Sequence, residues 1–225
     1  MKSSVRRSLA AAGVAVLLTA CSGPGPGVAA DVNGQHITVQ EVDDFAQVLC
    51  ALSGSQASAG GTPTSQVRSQ ALQILLSIAL TNDMTDVSTH VNQARVSSIE
   101  QQMNQSRDTV PSGDQSTFDS VVTKFARAQS ATIDLGRQAL EAAGKKGPIS
   151  DQDAYTAGSR LRTVYAAQKA DVQVDPRFGT MVNGTLKAGS GSLSVPVSQN
   201  ARDAAASTPV GSHVSALPAS QKCSS

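Results

Sequence analysis

The chain has 225 residues, of which 40% are hydrophobic and 16% are charged, and this length supports one ordinary domain. Four Phe, two Tyr and no Trp mean that its core is built mostly from aliphatic side chains. The formal net charge is +1, and it becomes −2 when Lys2, Arg6 and Arg7 in the leader are left out. This balance gives no reason to expect a nucleic-acid partner.

The first twenty residues predict a signal peptide. A basic start precedes an apolar run at residues 9–20, which as a helix would reach about 18 Å, too short for a hydrocarbon core of about 30 Å. The tetrapeptide Leu-Thr-Ala-Cys that ends at Cys21 resembles a bacterial lipobox, so we expect Cys21 to carry a lipid. The alternative is an ordinary signal peptide in which Cys21 follows the cleavage site by chance. The Gly/Pro-rich residues 21–28 predict a flexible tether.

Two cysteines remain if Cys21 is acylated. Cys50 and Cys223 form an even pair, and in an oxidising compartment this favours a disulfide that ties the C-terminal tail to the first helix. Chain entropy alone would give such a bridge about 5 kcal/mol of stabilisation. The alternative is that Cys50 is a small buried hydrophobe and Cys223 a free thiol.

The domain begins with a predicted hairpin and a capped helix. Asn33-Gly34 favours a two-residue turn between short extended pieces at residues 30–32 and 35–37. Thr38 and Glu41 have the spacing of a capping box, so a helix is expected to begin directly after Thr38.

Hydrophobic periodicity predicts four further helices, at residues 67–80, 85–103, 118–140 and 150–170. The helix at 67–80 is apolar on most of its circumference and is expected to be the most buried. Residues 53–64 before it are interpreted as a solvated loop. Helix 85–103 is expected to start at Thr85-Asp86.

The last helix carries its own start signal and a predicted packing stripe. Ser150 and Asp153 repeat the spacing of the first cap, directly after the helix-breaking connection at residues 144–148. The stripe expected to pack on a neighbour consists of Ala154, Gly158, Leu161 and Tyr165.

The C-terminal third changes from helical period to alternation. Residues 171–174 alternate, and Leu193, Val195 and Val197 alternate again after a Gly/Ser-rich connection. Strands this short need a partner, and the other extended pieces flank Asn33-Gly34. We therefore predict that the two ends of the domain meet in one small sheet. Residues 198–225 are interpreted as an Ala/Ser-rich tail, tied only through Cys223.

The predicted fold class is mainly α, with about five helices closed by a small β-sheet that pairs N-terminal and C-terminal strands over residues 29–197. This layout, with Val-Asn-Gly at 32–34, a buried second helix, the Thr85-Asp86 start and Asp-Val-Gln-Val at 171–174, resembles the N-terminal domain of SurA-type exported chaperones, a family that includes the PrsA-type foldase lipoproteins. The resemblance implies that the helices form a cradle for unfolded exported polypeptides.

The sequence departs from the better-known members of that family at one position. Those members place a parvulin-type prolyl isomerase domain before the final helix, where this chain has only residues 144–148. Five residues cannot form a domain. The resemblance therefore implies holding of clients without isomerase activity, and we expect the protein not to be an enzyme.

Aromatic and apolar side chains on the predicted helices are the candidates for client contact. They are Phe45, Leu49, Phe118, Val122, Phe125, Tyr155 and Tyr165, together with Phe178 after the last helix. The alternative is that most of them belong to the core.

No residue pattern predicts catalysis, a cofactor or a metal. The histidines, His36, His90 and His213, have no second ligand at the spacing of a metal site. Nucleophile elbows, phosphate loops and dinucleotide fingerprints are missing from the sequence. Glu41, Asp43 and Asp44 lie in the first turns of a predicted helix, where the dipole favours acids, and an acid/base pair is the minority interpretation.

These observations predict a chaperone-like lipoprotein of the bacterial cell envelope, anchored at Cys21 on the extracytoplasmic face of the membrane. Its expected partners are unfolded or newly exported polypeptides and the membrane, with no nucleic acid and no metal. The alternative is a structural or scaffolding lipoprotein that binds one specific folded partner.

Overall fold

The structure is a computed structural model that describes residues 23–53, 62–85, 91–189, 197–198, 202, 214 and 216–223. Within these residues the helices are α1 (Val39–Ser53), α2 (Thr64–Met84), α3 (Gln93–Asn104), α4 (Gln115–Ala142) and α5 (Asp151–Gln168). The strands are β1 (Val28–Val32), β2 (Gln35–Thr38), β3 (Thr62–Pro63), β4 (Val172–Val174), β5 (Gly179–Val182), β6 (Thr185–Ala188) and β7 (Lys222–Cys223). The fold is mainly helical with small antiparallel sheets, as predicted.

The two ends of the helical region meet in one sheet, which confirms the central prediction about the fold. β1 lies between β2 and β4 and pairs antiparallel with both. Ala30 lies opposite Val174, and Val32 lies opposite Val172. All five helices lie between β1 and β4 in the sequence. The backbone hydrogen bonds between these two strands therefore join the start of the helical region to its end.

The hairpin between β1 and β2 turns at the predicted dipeptide. Asn33 and Gly34 have φ values of 50° and 86°, the left-handed conformation that a two-residue turn of this kind requires at both central positions. The Gly34 amide also donates to Asp31 Oδ1 at 2.8 Å. The local sequence therefore specifies this turn.

The helix starts predicted from capping residues are confirmed for α1 and α5. The Glu41 amide donates to Thr38 Oγ1 at 3.1 Å, and the Thr38 amide donates to Glu41 Oε2 at 2.9 Å. Ser150 Oγ accepts from the Asp153 amide at 3.1 Å. Each bond satisfies a helix-terminal group that has no partner inside the helix.

α2 is the most buried of the described helices, as predicted, but it is longer than residues 67–80. It begins at Thr64, directly after Pro63, and ends at Met84. The extra C-terminal turn is held by tertiary contacts, since Thr81 is buried against α4 and the Asp83 carboxylate accepts hydrogen bonds from two other elements. Packing therefore overrides the poor helix propensity of Thr, Asn and Asp.

The prediction that Thr85-Asp86 starts the next helix is wrong. Thr85 is extended and its amide donates to Thr81 O, so it ends α2. α3 begins after Asn92, whose side chain accepts from the Arg95 amide at 3.1 Å. Residues 86–90 lie outside the described residues.

α4 and α5 approach each other at two glycines. A Cβ atom placed on Gly136 would lie 1.8 Å from Ala154 O, and one placed on Gly158 would lie 1.9 Å from Thr132 O. Ala154 and Gly158 of the predicted stripe therefore pack on α4. Leu161 of the same stripe is 38% exposed and is not buried in this contact.

The segment after β4 contains a hairpin where the sequence predicts only a turn and a Gly/Ser-rich connection. β5 and β6 pair around Asn183-Gly184, both with positive φ, in the same turn chemistry as Asn33-Gly34. The repeated dipeptide was the signal that would have found it. Of the strand predicted around Leu193, Val195 and Val197, the first two residues lie outside the described residues, and Val197 is in no strand.

The predicted disulfide between Cys50 and Cys223 is present, with the two Cα atoms 5.2 Å apart. Cys223 also belongs to β7, which pairs with β3 through Thr62 opposite Cys223 and Pro63 opposite Lys222. The tail is thus held by a short ladder as well as by the bridge. The predicted loop at 53–64 is wrong at its C-terminal end, where β3 forms, and residues 54–61 lie outside the described residues.

Candidate functional site

Half of the candidate client-contact residues lie in the hydrophobic core. Phe45, Phe118, Val122 and Phe178 are buried in one cluster with β1 and α2. The cluster fills the space between α1, α2 and α4, so these four side chains do not reach the surface in this structure. For them the structure supports the core interpretation.

The other four candidates are half-buried and lie on three helices. Leu49 is on α1, Phe125 on α4, and Tyr155 and Tyr165 on α5. Leu49 and Tyr165 pack against the edge of the hydrophobic core. Tyr165 has a further structural role through its hydroxyl group.

The Tyr165 hydroxyl belongs to a polar cluster that joins the first hairpin, α2, α5 and Asp171, the residue directly before β4. It donates to Asp83 Oδ2 at 2.5 Å, and Asn33 Nδ2 donates to the same oxygen at 2.6 Å. Asn33 Oδ1 accepts from the Asp171 amide at 2.7 Å. The bond to Asp83 raises the pKa of Tyr165 above its ordinary value of 10.0, because it favours the protonated phenol, and burial acts in the same direction.

Sequence reasoning missed an exposed apolar pair on α5. Leu161 is 38% exposed and Val164 is 49% exposed, and their spacing of three makes them neighbours on the helix surface. Val182 on β5 is exposed as well. We call Leu161 and Val164 the α5 apolar pair. The signal available in the sequence was that small residues form the packed stripe of this helix, which leaves the larger aliphatic residues beside it.

A first cavity, of about 290 Å³, lies between α1 and α2 beside the disulfide. It is lined by Asp43, Ala46, Gln47, Cys50, Thr64 and Arg68. Arg68 Nε donates to Asp43 Oδ1 at 2.5 Å, and the Arg68 guanidinium lies 4.9 Å from the Phe178 ring centroid. Asp43 therefore serves an ion pair, and apolar atoms make up most of the exposed wall of this cavity.

A second cavity, of about 110 Å³, lies between α2, α5 and the β5–β6 hairpin. Its apolar lining residues are Leu76, Leu80, Met181 and Leu186. Its polar lining residues are Gln73, Ser77, Arg162, Thr163 and Thr185, and Gly184 completes the wall. The lining of this cavity thus combines one cationic side chain, Arg162, with four apolar side chains.

Ion pairs connect neighbouring helices and loops. Arg95 Nη1 donates to Asp134 Oδ1 at 2.7 Å, which joins α3 to α4, and Arg95 Nε lies 3.4 Å from Asp151 Oδ2. Lys145 Nζ donates to Asp153 Oδ2 at 2.9 Å. This bond, together with the Ser150 hydroxyl, holds the pKa of Asp153 below its ordinary value. Each of these three carboxylates therefore has a structural partner.

The described residues contain no group of three or more His, Cys, Asp or Glu side chains that would hold a metal ion. His36 Nδ1 lies 2.5 Å from Asp31 Oδ2 on the first hairpin. His90, His213 and Cys21 lie outside the described residues. Across the described part of the chain, every helix lacks the length or the apolar character needed to cross a membrane.

Comparison of the chain with protein families, with curated proteins and with solved structures finds no match in any of the three.

Proposed function

We propose that this protein is an envelope lipoprotein of SurA-like layout that holds unfolded or newly exported polypeptides without catalysis. The observation that carries the proposal is the antiparallel pairing of β1 with β4, which places Ala30 opposite Val174. In the family that the sequence resembles, a strand before the helices pairs with a strand after the last helix, and the helices between them bind clients.

The α5 apolar pair is the surface on which we expect a client to bind. Leu161 and Val164 present adjacent aliphatic groups, and Val182 adds a third exposed apolar side chain on β5. Exposed neighbouring apolar residues favour weak contact with extended apolar segments. Such binding depends on apolar area and does not read a sequence, as holding of many different clients requires.

The test is suppression of aggregation. The mature chain from residue 21, carrying Cys21→Ser, is mixed at stoichiometric ratio with an unfolded secreted protein diluted from denaturant, and light scattering is followed. We expect scattering to fall. We expect the variant with Leu161→Ser and Val164→Ser to lose most of this effect, whereas Val197→Ser, which changes an exposed apolar residue outside the helices, keeps it. A folded protein that leaves scattering unchanged would overturn the proposal.

Membrane anchoring through Cys21 is part of the same proposal. It is supported by the Leu-Thr-Ala-Cys tetrapeptide and the apolar leader before it. In cells fed a clickable fatty acid, we expect the wild-type chain to be labelled and to fractionate with membranes. Cys21→Ser should be unlabelled. An unlabelled wild-type chain would limit the proposal to an unanchored exported protein.

The second candidate is a scaffolding lipoprotein that binds one folded partner. The burial of Phe45, Phe118, Val122 and Phe178 favours it, because it leaves fewer apolar side chains for an extended client. Pull-down from envelope extracts separates the two candidates. One stoichiometric partner favours the scaffold, and a heterogeneous set whose capture is lost with the α5 apolar pair favours the chaperone.

A further inference from the structure

The Arg162 side chain extends from α5 to the contact between α2 and α4. Its Nη1 atom donates to Thr81 Oγ1 and to Thr132 Oγ1, each at 3.3 Å, and both threonines are 1% exposed. Thr81 Oγ1 donates its own proton to Ser77 O at 2.8 Å, and Thr132 Oγ1 donates to Ala128 O at 2.8 Å. Their lone pairs are therefore directed to the guanidinium, which fixes its position.

The charge of Arg162 has no counterion among the described residues. The other half-buried arginines of the described chain each have a carboxylate partner: Arg68 with Asp43, Arg95 with Asp134, Arg107 with Asp119, and Arg137 with Asp151. Arg162 has only the two threonine hydroxyls, both bound through Nη1. A partly buried cation without a paired anion is unfavourable, so the arrangement indicates an anion supplied from outside.

The space beside the guanidinium sets the size of that anion. Arg162 lines the cavity of about 110 Å³ between α2, α5 and the β5–β6 hairpin, which has room for a small polar group and a few carbon atoms. Leu76, Leu80, Met181 and Leu186 form an aliphatic wall. Gln73, Thr163 and Thr185 lie at the exposed side, so the cavity opens to solvent there.

We propose that this cavity binds a carboxylate carried on a short aliphatic stem, with Arg162 as its counterion. The Nε and Nη2 groups of Arg162 donate to no acceptor among the described residues, and a guanidinium presents such donors in a planar fork that matches the two oxygens of a carboxylate. The stem lies against the four aliphatic side chains. Two sources carry this chemistry, a free short-chain carboxylic acid and the C-terminus of a polypeptide that ends in an aliphatic residue. The inference does not depend on the proposed chaperone function.

The first test is a calorimetric titration of the full chain with butyrate and with the neutral isostere butyramide. We expect saturable binding of butyrate and binding of butyramide at least tenfold weaker, because a hydrogen bond between charged groups is much stronger than one to an amide. Arg162→Gln should weaken butyrate binding at least tenfold. Arg160→Gln removes the same charge from an exposed position of the same helix, and we expect less than a twofold change. Equal binding of the two compounds, or equal loss in the two variants, would overturn the proposal.

A second measurement needs no variant, in case Arg162→Gln does not fold. Butyrate should shift the amide NMR signals of Thr163, Gly184 and Thr185 along one saturating curve. A tripeptide that ends in leucine is added as the free acid and as the C-terminal amide. If the free acid shifts these signals and the amide does not, the site accepts a polypeptide C-terminus. If butyrate alone shifts them, it accepts free acids. Unshifted cavity amides with every carboxylate would refute the site.

Discussion

Tyr165 on α5 donates its hydroxyl proton to Asp83 Oδ2 at the end of α2, at 2.5 Å. The same carboxylate oxygen accepts from Asn33 in the first hairpin at 2.6 Å. Two residues far from Asn33 in sequence therefore meet at the turn that starts the domain. This cluster links the first hairpin to the C-terminal ends of α2 and α5. It thereby helps to fix the position of the hairpin relative to these two helices.

Replacement of Tyr165 by Phe removes the hydroxyl and leaves the ring. We expect Tyr165→Phe to lower the free energy of unfolding by about 1–2 kcal/mol, because a hydrogen bond to a charged, half-buried carboxylate is lost. Urea unfolding followed by circular dichroism measures it. Tyr155→Phe on the same helix is the matched control and should change the stability by less than about 0.5 kcal/mol. Equal losses in the two variants would contradict the role assigned to the Asp83 bond.

The same bond makes stability depend on alkaline pH. The pKa of Tyr165 is raised above 10.0 in the folded protein, so the folded state holds this proton more tightly than the unfolded state. Its contribution is complete below pH 10 and is lost as the pH rises through the raised value. We therefore expect the stability difference between wild type and Tyr165→Phe to shrink in urea titrations above pH 10. A difference that stays constant would refute this coupling.

Gly158 is the position where α5 lies closest to α4. A Cβ atom there would lie 1.9 Å from Thr132 O, so Gly158→Ala must push the two helices apart. We expect a loss of about 3 kcal/mol, at the upper end for overpacking, measured by thermal unfolding. Gly113→Ala is the control, because a Cβ atom there meets nothing within 4 Å. Its effect should stay within about 1 kcal/mol.

Arg95 holds α3 on the rest of the domain. α3 buries only Val96, whereas the Arg95 side chain bonds Asp134 and Ser130 of α4. We expect Arg95→Ala to cost about 2 kcal/mol and to raise amide hydrogen exchange in α3 more than in α2. Arg127→Ala removes an exposed charge from α4 and should leave exchange in α3 unchanged. Exchange that rises uniformly in all helices would show that α3 does not open by itself.

The bridge between Cys50 and Cys223 closes a span of 173 residues. We expect the double variant Cys50→Ala, Cys223→Ala to unfold with a free energy about 2–5 kcal/mol lower than wild type. A reductant should destabilise the wild type to a similar extent and leave the double variant unaffected, and this insensitivity is the control. Free thiols at both positions in the exported protein, detected by mass spectrometry after alkylation, would contradict the bridge.

Local chemistry was sufficient for the hairpin at Asn33-Gly34, for the caps at Thr38 and Ser150, and for the helical faces of α2 and α4. Each depends on groups within a few residues of one another, so the sequence states it directly. The pairing of β1 with β4 was also predictable, because short strands cannot stand alone and few extended pieces were available. The disulfide followed from the cysteine count and the leader.

Other features depend on partners far away in the chain, and only the tertiary structure decided them. α2 continues past Leu80 because Thr81 and Asp83 find partners on α4, on α5 and in the hairpin. The candidate aromatic side chains divide into core and half-buried sets because an amphipathic pattern shows which face is apolar and does not show what covers it. The sequence could not show that Arg162 has no counterion among the described residues, because the fold decides which carboxylates lie near a given arginine.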